Sequence, residues 1–365
     1  MALGYSTDGI IELMKTPPQK RTVDWLKDAL QQAVMLELAT LPPYLCGWWS
    51  LRGDTPSGVD AVAALKIVIF DEMSHLGHVC NLLTTIGGQP VLADTRVIAP
   101  YPCPLPGGVR PKLNPDLQVF LSGFSPESVQ MYSEIESPEK PLATMAAKEE
   151  TFQSIGLFYT AIRDAFEQHQ DKITGRRQVV RTMDHHGKGN TLFPIRTFQD
   201  AESAITIIQE QGEGTSQTPD NPFPGFEGEL SHYYVFRQIF RGKKLVKVQE
   251  NPPKWEFAGD PIPFPNARPM AKVPQGGWAN SPDTVPDATT QAQLDLSNQA
   301  FSAMLRALEQ AWQQDDPAQA DSFMGEAIGQ MFQLKGPALA LMGMELPHDP
   351  SMVYGPELRY VPAKP

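Results

Sequence analysis

Three residues occupy positions where an apolar helical face would ordinarily carry another aliphatic side chain: Glu37, Glu72 and His75. Withdrawing a lone carboxylate from water costs several kcal/mol or more unless it is paired or coordinated to a metal. Glu72 and His75 form an E-x-x-H pair. At that spacing both side chains leave one face of a helix. A carboxylate oxygen and an imidazole nitrogen then converge on a point ~2 Å from each donor, as a metal ion requires. The chain holds a second such pair, Glu229 and His232, in the string ELSH. Two E-x-x-H pairs together with single glutamates on other helices form the ligand set of dinuclear iron and manganese carboxylate bundles. Four glutamates also balance two divalent cations, so such a site stays near neutral inside a poorly polarisable core.

These residues need helices to position them. From residue 23 to 41 the stripe Leu26, Leu30, Val34, Glu37, Leu41 has helical period. Pro42 and Pro43 are expected to kink or end that helix, with residues 44–51 resuming it. From 58 to 86 a second stripe runs Leu65, Val68, Glu72, His75, Val79, Leu82, and Gly87-Gly88 is a suitable stop. Residues 88–143 hold a proline cluster and read as a long irregular crossover with a short strand near 117–120. Further helices are expected over 143–170, 200–211 (ending at Gly212) and 229–240, with a Gly/Pro-rich insertion at 212–227. After a second proline-rich stretch, 252–286, come helices at 289–313 and 317–344, the latter kinked or broken at Pro337 near Gly336.

The chain has 35 prolines in 365 residues, about twice the usual share of roughly 5%. Most of them fall between the predicted helices, so they outline a mainly α protein and do not argue against one. The fold expected is a four-helix bundle with a long crossover between its second and third helices, long proline-rich connections and two additional C-terminal helices. Residues 1–245 would form the bundle, and 246–365 a connection and helices packed on it as one structural unit.

Composition narrows the function. The formal charge is −12, which opposes nucleic acid or an anionic membrane as the main partner. Three cysteines without a C-x-x-C indicate neither a disulfide framework nor a cysteine zinc site. The first residues do not read as a signal peptide and no apolar run approaches ~18 residues, so a cytoplasmic location is expected. The patterns of a P-loop, a dinucleotide-binding loop and a hydrolase nucleophile elbow are absent, as is the C-x-x-C-H of attached haem.

The strings LELATLPPYL, DEMSHLGHVCNLLTTIGGQP, SIGLFYTAI, IIQEQGEG and SHYYVF, with FSAMLRALEQAW and GQMFQLKGPALALM nearer the end, resemble the ferritin-like domain of iminophenylpyruvate dimer synthases of violacein-type indole pathways and of related bacterial ferritin-like proteins. The resemblance spans most of the chain. It implies a ferritin-like, redox-active bundle and carries over no substrate. By position it implies Glu37, Glu72, His75, Glu210 and His232 as metal ligands, with Glu213 a further candidate; Glu229 is attractive by its spacing from His232. In the third helix the family often has a glutamate within S-I-G-x-x-Y, where this chain has Leu157 and Phe158; Glu150, two turns earlier with Glu149 beside it, is the substitute. Tyr44 and Tyr159 are candidates to line the cavity or donate a hydrogen bond to bound oxygen, core packing being their ordinary role. His78 reads as a packing or surface histidine, Asp184-His185-His186 as a solvated turn, and Trp48 and Trp49 as core.

The resulting expectation is a cytoplasmic oxidoreductase with di-iron, or alternatively manganese, acting with O2 on a small organic substrate such as an amino-acid-derived imine or an aromatic. Two alternatives stand beside it. One is a non-enzymatic, degenerate metal-binding or interaction module, motivated by the missing third-helix glutamate. The other is a ferroxidase, against which the long irregular connections argue.

Overall fold

A computed structural model describes residues 4–5, 8–111, 113–138, 155–183, 190–213, 218–221 and 228–363. Its helices are α1 (Gly9–Met14), α2 (Val23–Ser50), α3 (Pro56–Thr85), α4 (Pro126–Ile135), α5 (Ile155–Gln168), α6 (Phe198–Glu213), α7 (His232–Arg241), α8 (Ala288–Ala311) and α9 (Pro317–Leu341). Two short antiparallel ribbons accompany them: β1 (Arg181–Met183) with β2 (Asn190–Leu192), and β3 (Val246–Gln249) with β4 (Lys254–Glu256). Among the described residues no helix is long and apolar enough to cross a membrane.

Four helices close a ring. Helix α2 packs on α3 and α5, and α6 packs on α5 and α3. This is the expected bundle, with its long crossover between α3 and α5. Helix α4 pairs with α7, touching α2, while α7 also touches α6. The hairpin α8/α9 packs chiefly on itself and meets the bundle where α9 touches α2.

The starts of α2 and α3 follow from their capping residues. Thr22 accepts a hydrogen bond from the Trp25 N–H and Thr55 from the Gly58 N–H, satisfying donors that a helix start leaves without partners. The core is continuous and runs the length of α2, where Leu26, Leu30, Val34 and Tyr44 are fully buried.

The prolines behave differently from expectation. Helix α2 runs through Pro42 and Pro43 to Ser50 without a break. A proline lacks the N–H that its i−4 carbonyl needs, so Pro43 frees the carbonyl of Ala39. The buried Tyr101 hydroxyl donates to that carbonyl at 2.7 Å, and Tyr132 donates to the Pro43 carbonyl at 2.9 Å. Side chains from the crossover and from α4 thus stabilise a helix that would otherwise end. Helix α9 likewise passes through Pro337; the carbonyl freed there belongs to Gln333, an exposed residue.

The crossover is also more ordered than expected. The strand anticipated near 117–120 is a single bridge between Cys103 and Val119. Helix α4 was not anticipated. Ser125 caps it reciprocally with Ser128, and Pro126 fills its first turn. The helix expected over 143–170 is described from Ile155 onward. Helix α7 begins at His232, so Glu229 precedes it, and the E-x-x-H spacing of 229 and 232 is not that of a helical face.

Candidate metal centre

Two triads of buried donors face one another inside the bundle. One is Glu37, Glu72 and His75; the other is Glu72, Glu136 and His232. Within each triad the donor atoms lie within 4.8 Å of one another. Helix α2 supplies Glu37, α3 supplies Glu72 and His75, the C-cap of α4 supplies Glu136, and the first residue of α7 supplies His232.

The shared group is Glu72. Its Oε1 lies 3.4 Å from His75 Nδ1 and 3.1 Å from His232 Nδ1. Glu37 Oε2 lies 3.7 Å from His75 Nδ1, and Glu136 Oε2 lies 3.6 Å from His232 Nδ1. The two imidazoles stack with centroids 5.8 Å apart.

Each of these groups has a second atom held from behind. His75 Nε2 lies 2.8 Å from Gln211 Oε1, and His232 Nε2 lies 3.0 Å from Asp71 Oδ2. Those oxygens only accept, so each Nε2 carries the proton, and each Nδ1 in its neutral form presents a lone pair to the carboxylates. A carboxylate or amide oxygen behind an imidazole is the usual support of a metal-binding histidine. The glutamates follow the same plan. Tyr159 donates to Glu37 Oε1, Thr40 to Glu72 Oε2 at 2.7 Å, and Tyr44 to Glu136 Oε1. In every case one oxygen is fixed by a hydroxyl and the other faces the histidines.

The residues fit a pair of cations. His232 Nδ1 is buried and lacks a hydrogen-bond partner, its approach to Glu72 not being aligned for one. A buried nitrogen in that position is costly unless something binds its lone pair or proton. The electrostatics point the same way. Burial works to lower the His75 pKa, but the hydrogen bond and charge of Glu72 and the charge of Glu37 lift it to about 9. His232 is raised well above the ordinary range: burial opposes this, and Asp71, Glu136 and Glu72 outweigh it. Burial, then the Glu72 charge, push Glu37 up to about 8. In Glu72 burial is overcome by the two histidines, which hold the carboxyl well below its usual range. The cluster therefore draws positive charge to its centre, and protons supply it when no metal does.

The chamber enclosed by these groups has a volume of about 40 Å3. Leu36, Ile135, Ile155 and Ile208 form its apolar walls. Gly212 leaves room for Glu136: a Cβ there would come within 3.0 Å of Glu136 Oε2.

Of the residues singled out in the sequence, Glu37, Glu72, His75 and His232 come together here, and Tyr44 and Tyr159 reach the centre through the carboxylates. Glu210 does not join either triad. It is half-buried on α6, and burial raises its pKa; one residue along, Gln211 turns inward to His75. Glu229 is half-buried ahead of α7 and outside both triads; its carbonyl accepts from the Asn221 N–H at 2.8 Å. The Glu213 side chain, Glu149, Glu150 and Asp184-His185-His186 lie outside the described residues. Of the two residues where the family's glutamate would stand, Leu157 is 43% exposed and Phe158 is buried in the core. His78 packs against Phe193, with ring centroids 4.6 Å apart, and burial pushes its pKa down to about 3.

Four contributors went unnoticed in the sequence: Glu136, Asp71, Gln211 and Thr40. Glu136 carried a readable signal, since Val129, Tyr132 and Glu136 share one face after the Ser-Pro-Glu-Ser cap. That is the criterion that singles out Glu37, a carboxylate inside an apolar stripe.

Comparisons with known proteins agree with this architecture. No curated protein matches the sequence. The crystal structure of a ferritin-like protein from Caulobacter vibrioides superposes with a TM-score of 0.58, covering 92% of this chain and 98% of that one. At 21% identity that likeness is one of fold. The Ferritin-like family model matches residues 30–241, a span that includes every member of both triads. The chain belongs to the Ferritin-like family.

Proposed function

We propose that this protein is a di-metal oxidoreductase, with iron as its native metal and manganese as the alternative, that reacts with O2 and oxidises a small organic molecule in the cytoplasm. The observation that carries the reading is the pair of triads sharing Glu72, with both imidazoles turned Nδ1-inward by Asp71 and Gln211. Glu37, Glu72 and His75 would hold one ion, and Glu72, Glu136 and His232 the other. Bound iron supplies the electrons for O2 reduction, which side chains alone cannot provide.

The protein's own groups do the rest. Asp71 and Gln211 fix the tautomers of the two histidines. Tyr159, Thr40 and Tyr44 fix one oxygen of each glutamate, so little reorganisation is needed as charge changes at the centre. Tyr159 and Tyr44 also hold the nearest phenolic protons, available to the carboxylates they touch. The isoleucine and leucine walls exclude water, which strengthens each of these interactions. An amino-acid-derived imine or an aromatic is the substrate class we favour.

The chamber volume favours a second reading, ferroxidase activity. About 40 Å3 accommodates ions and O2 more readily than an organic molecule. The two readings separate in one experiment. Protein loaded anaerobically with Fe(II) is exposed to O2 while oxygen uptake is recorded. Both readings require uptake that His232→Ala and Glu72→Ala abolish. Sustained turnover with excess Fe(II) assigns ferroxidase activity; uptake that stops at the bound iron and resumes with an organic co-substrate assigns the oxidoreductase. A folded wild-type protein that takes up no oxygen overturns both and leaves the degenerate binding module.

A further inference from the structure

A second cavity, of about 360 Å3, shares no wall residue with the metal chamber. Its volume falls within the range of small-molecule pockets, roughly 300–1,000 Å3. Helices α2 and α3 form one side with Leu45, Ile69 and Met73, and the α8/α9 hairpin forms the other with Met304, Met324 and Phe332. The hairpin thus rests on α2 but stands off along this groove. Protein interiors seldom leave voids larger than a water molecule, and wall atoms facing empty space forfeit their dispersion contacts. Methionines, three of which are named here, adapt readily to a flexible guest. Phe332 lies at the surface, 63% exposed.

The ends of the groove are basic. At one end Arg181 reaches the wall and is already paired with Asp321 at 3.1 Å. At the other, α2, α3 and α9 continue one turn past Leu45, Ile69 and Phe332 to Trp48, Lys66 and Lys335. Both ammonium groups lie 5.6 Å from the Trp48 ring centroid. Among the described residues neither lysine has a carboxylate within ion-pair distance. Two unneutralised lysines meeting on one aromatic ring, in a chain of net charge −12, form a local positive site at the mouth of an apolar groove. From Ile69 to Gly77 the cavity follows α3 for eight residues, about 12 Å at 1.5 Å per residue, and Lys66 stands three residues, just under one turn, beyond that end.

We propose that this groove binds a free monocarboxylic acid with an extended alkyl chain, its carboxylate against Lys66 and Lys335 and its chain lying between α3 and the hairpin toward Gly77. The apolar walls take the chain, and the lysine pair selects an acid over a neutral amphiphile.

Isothermal titration of the full chain with decanoate and, separately, with decanol tests this. The expected result is 1:1 binding of decanoate, at least about tenfold tighter than decanol, a difference of about 1.4 kcal/mol. The double variant Lys66→Met/Lys335→Met removes that preference while still binding decanol. Ile328→Trp, which fills the groove from α9, weakens both ligands with the melting curve retained. Absence of decanoate binding, equal affinity for acid and alcohol in the wild type, or undiminished binding by Ile328→Trp overturns the proposal. So does a dimer in sedimentation velocity that decanoate leaves intact while calorimetry is silent, which would assign the groove to a second copy of the chain. The acid-against-alcohol comparison needs no variant, so a misfolded mutant cannot obscure the outcome. Metal content and O2 uptake are not read in these experiments.

Discussion

Asp71 and Glu72 are adjacent in sequence and do different work. Glu72 faces both histidines, while Asp71 turns away by a third of a turn and holds His232 from behind. Replacing a support of this kind ordinarily lowers metal affinity 10–100-fold. Asp71→Asn is therefore expected to weaken iron binding by about that factor with the fold intact, measured by competition against a chelator of known affinity. Gly212→Ala tests the second ion position, because the new Cβ meets Glu136 Oε2 at 3.0 Å. The expected outcome is loss of one of the two metals per chain, read by elemental analysis.

Protonation gives a prediction of definite sign. His75 rises from 6.5 to about 9 and Glu37 from 4.5 to about 8 in the metal-free fold. A group whose folded pKa is raised stabilises the fold fully below its unfolded pKa and loses that contribution as pH climbs to the folded value. The metal-free protein should thus melt at progressively lower temperature from about pH 4.5, where Glu37 begins to lose its contribution, to about 9, where His75 has lost its own. Metal binding must displace the same protons, so metal affinity should rise over that interval, with protons released on uptake. Titration calorimetry in two buffers of different ionisation enthalpy reads the proton count. An affinity independent of pH would contradict this description of the site.

At the scale of elements, the centre depends on the continuity of α2 and on the start of α4. Helix α2 survives Pro42-Pro43 because Tyr101 donates to the freed Ala39 carbonyl. Tyr101→Phe leaves that buried carbonyl without its donor, and a loss of about 1–3 kcal/mol is expected in urea unfolding. Helix α4 starts at the Ser125–Ser128 box and ends on Glu136. Ser125→Ala should cost about 1 kcal/mol and weaken metal binding as well, since Glu136 rides on that helix.

How much was legible in the sequence follows from the same physics. Glu37, Glu72 and His75 stand out because charge inside an apolar stripe is expensive. Glu136 met that criterion, but its helix is short and sits in a proline-rich crossover that reads as irregular. Glu229 had the right spacing from His232 without the helix that gives spacing its meaning. Gln211 and Thr40 are uncharged and carry no periodicity signal; only the packing of α6 and α2 reveals them. The continuity of α2 could not be read locally, because the donor that preserves it lies 62 residues away.

At the scale of the whole molecule, a four-helix ring supplies two glutamates, a histidine, Tyr159 and Gln211, and the α4/α7 pair completes the cluster with Glu136 and His232. The second triad therefore draws two of its three donors, Glu136 and His232, from outside the ring. The α8/α9 hairpin takes no part in the cluster and instead encloses the apolar groove.

The central claim is that Glu72 is shared by two metal ions. Anomalous diffraction at the iron edge, from crystals of anaerobically iron-loaded protein, tests it most directly. The expected result is two peaks, one among Glu37, Glu72 and His75 and one among Glu72, Glu136 and His232, each with donors at ~2.0–2.2 Å. A folded, iron-exposed protein with no peak in the bundle, or with a single ion that Glu72 does not contact, would contradict it.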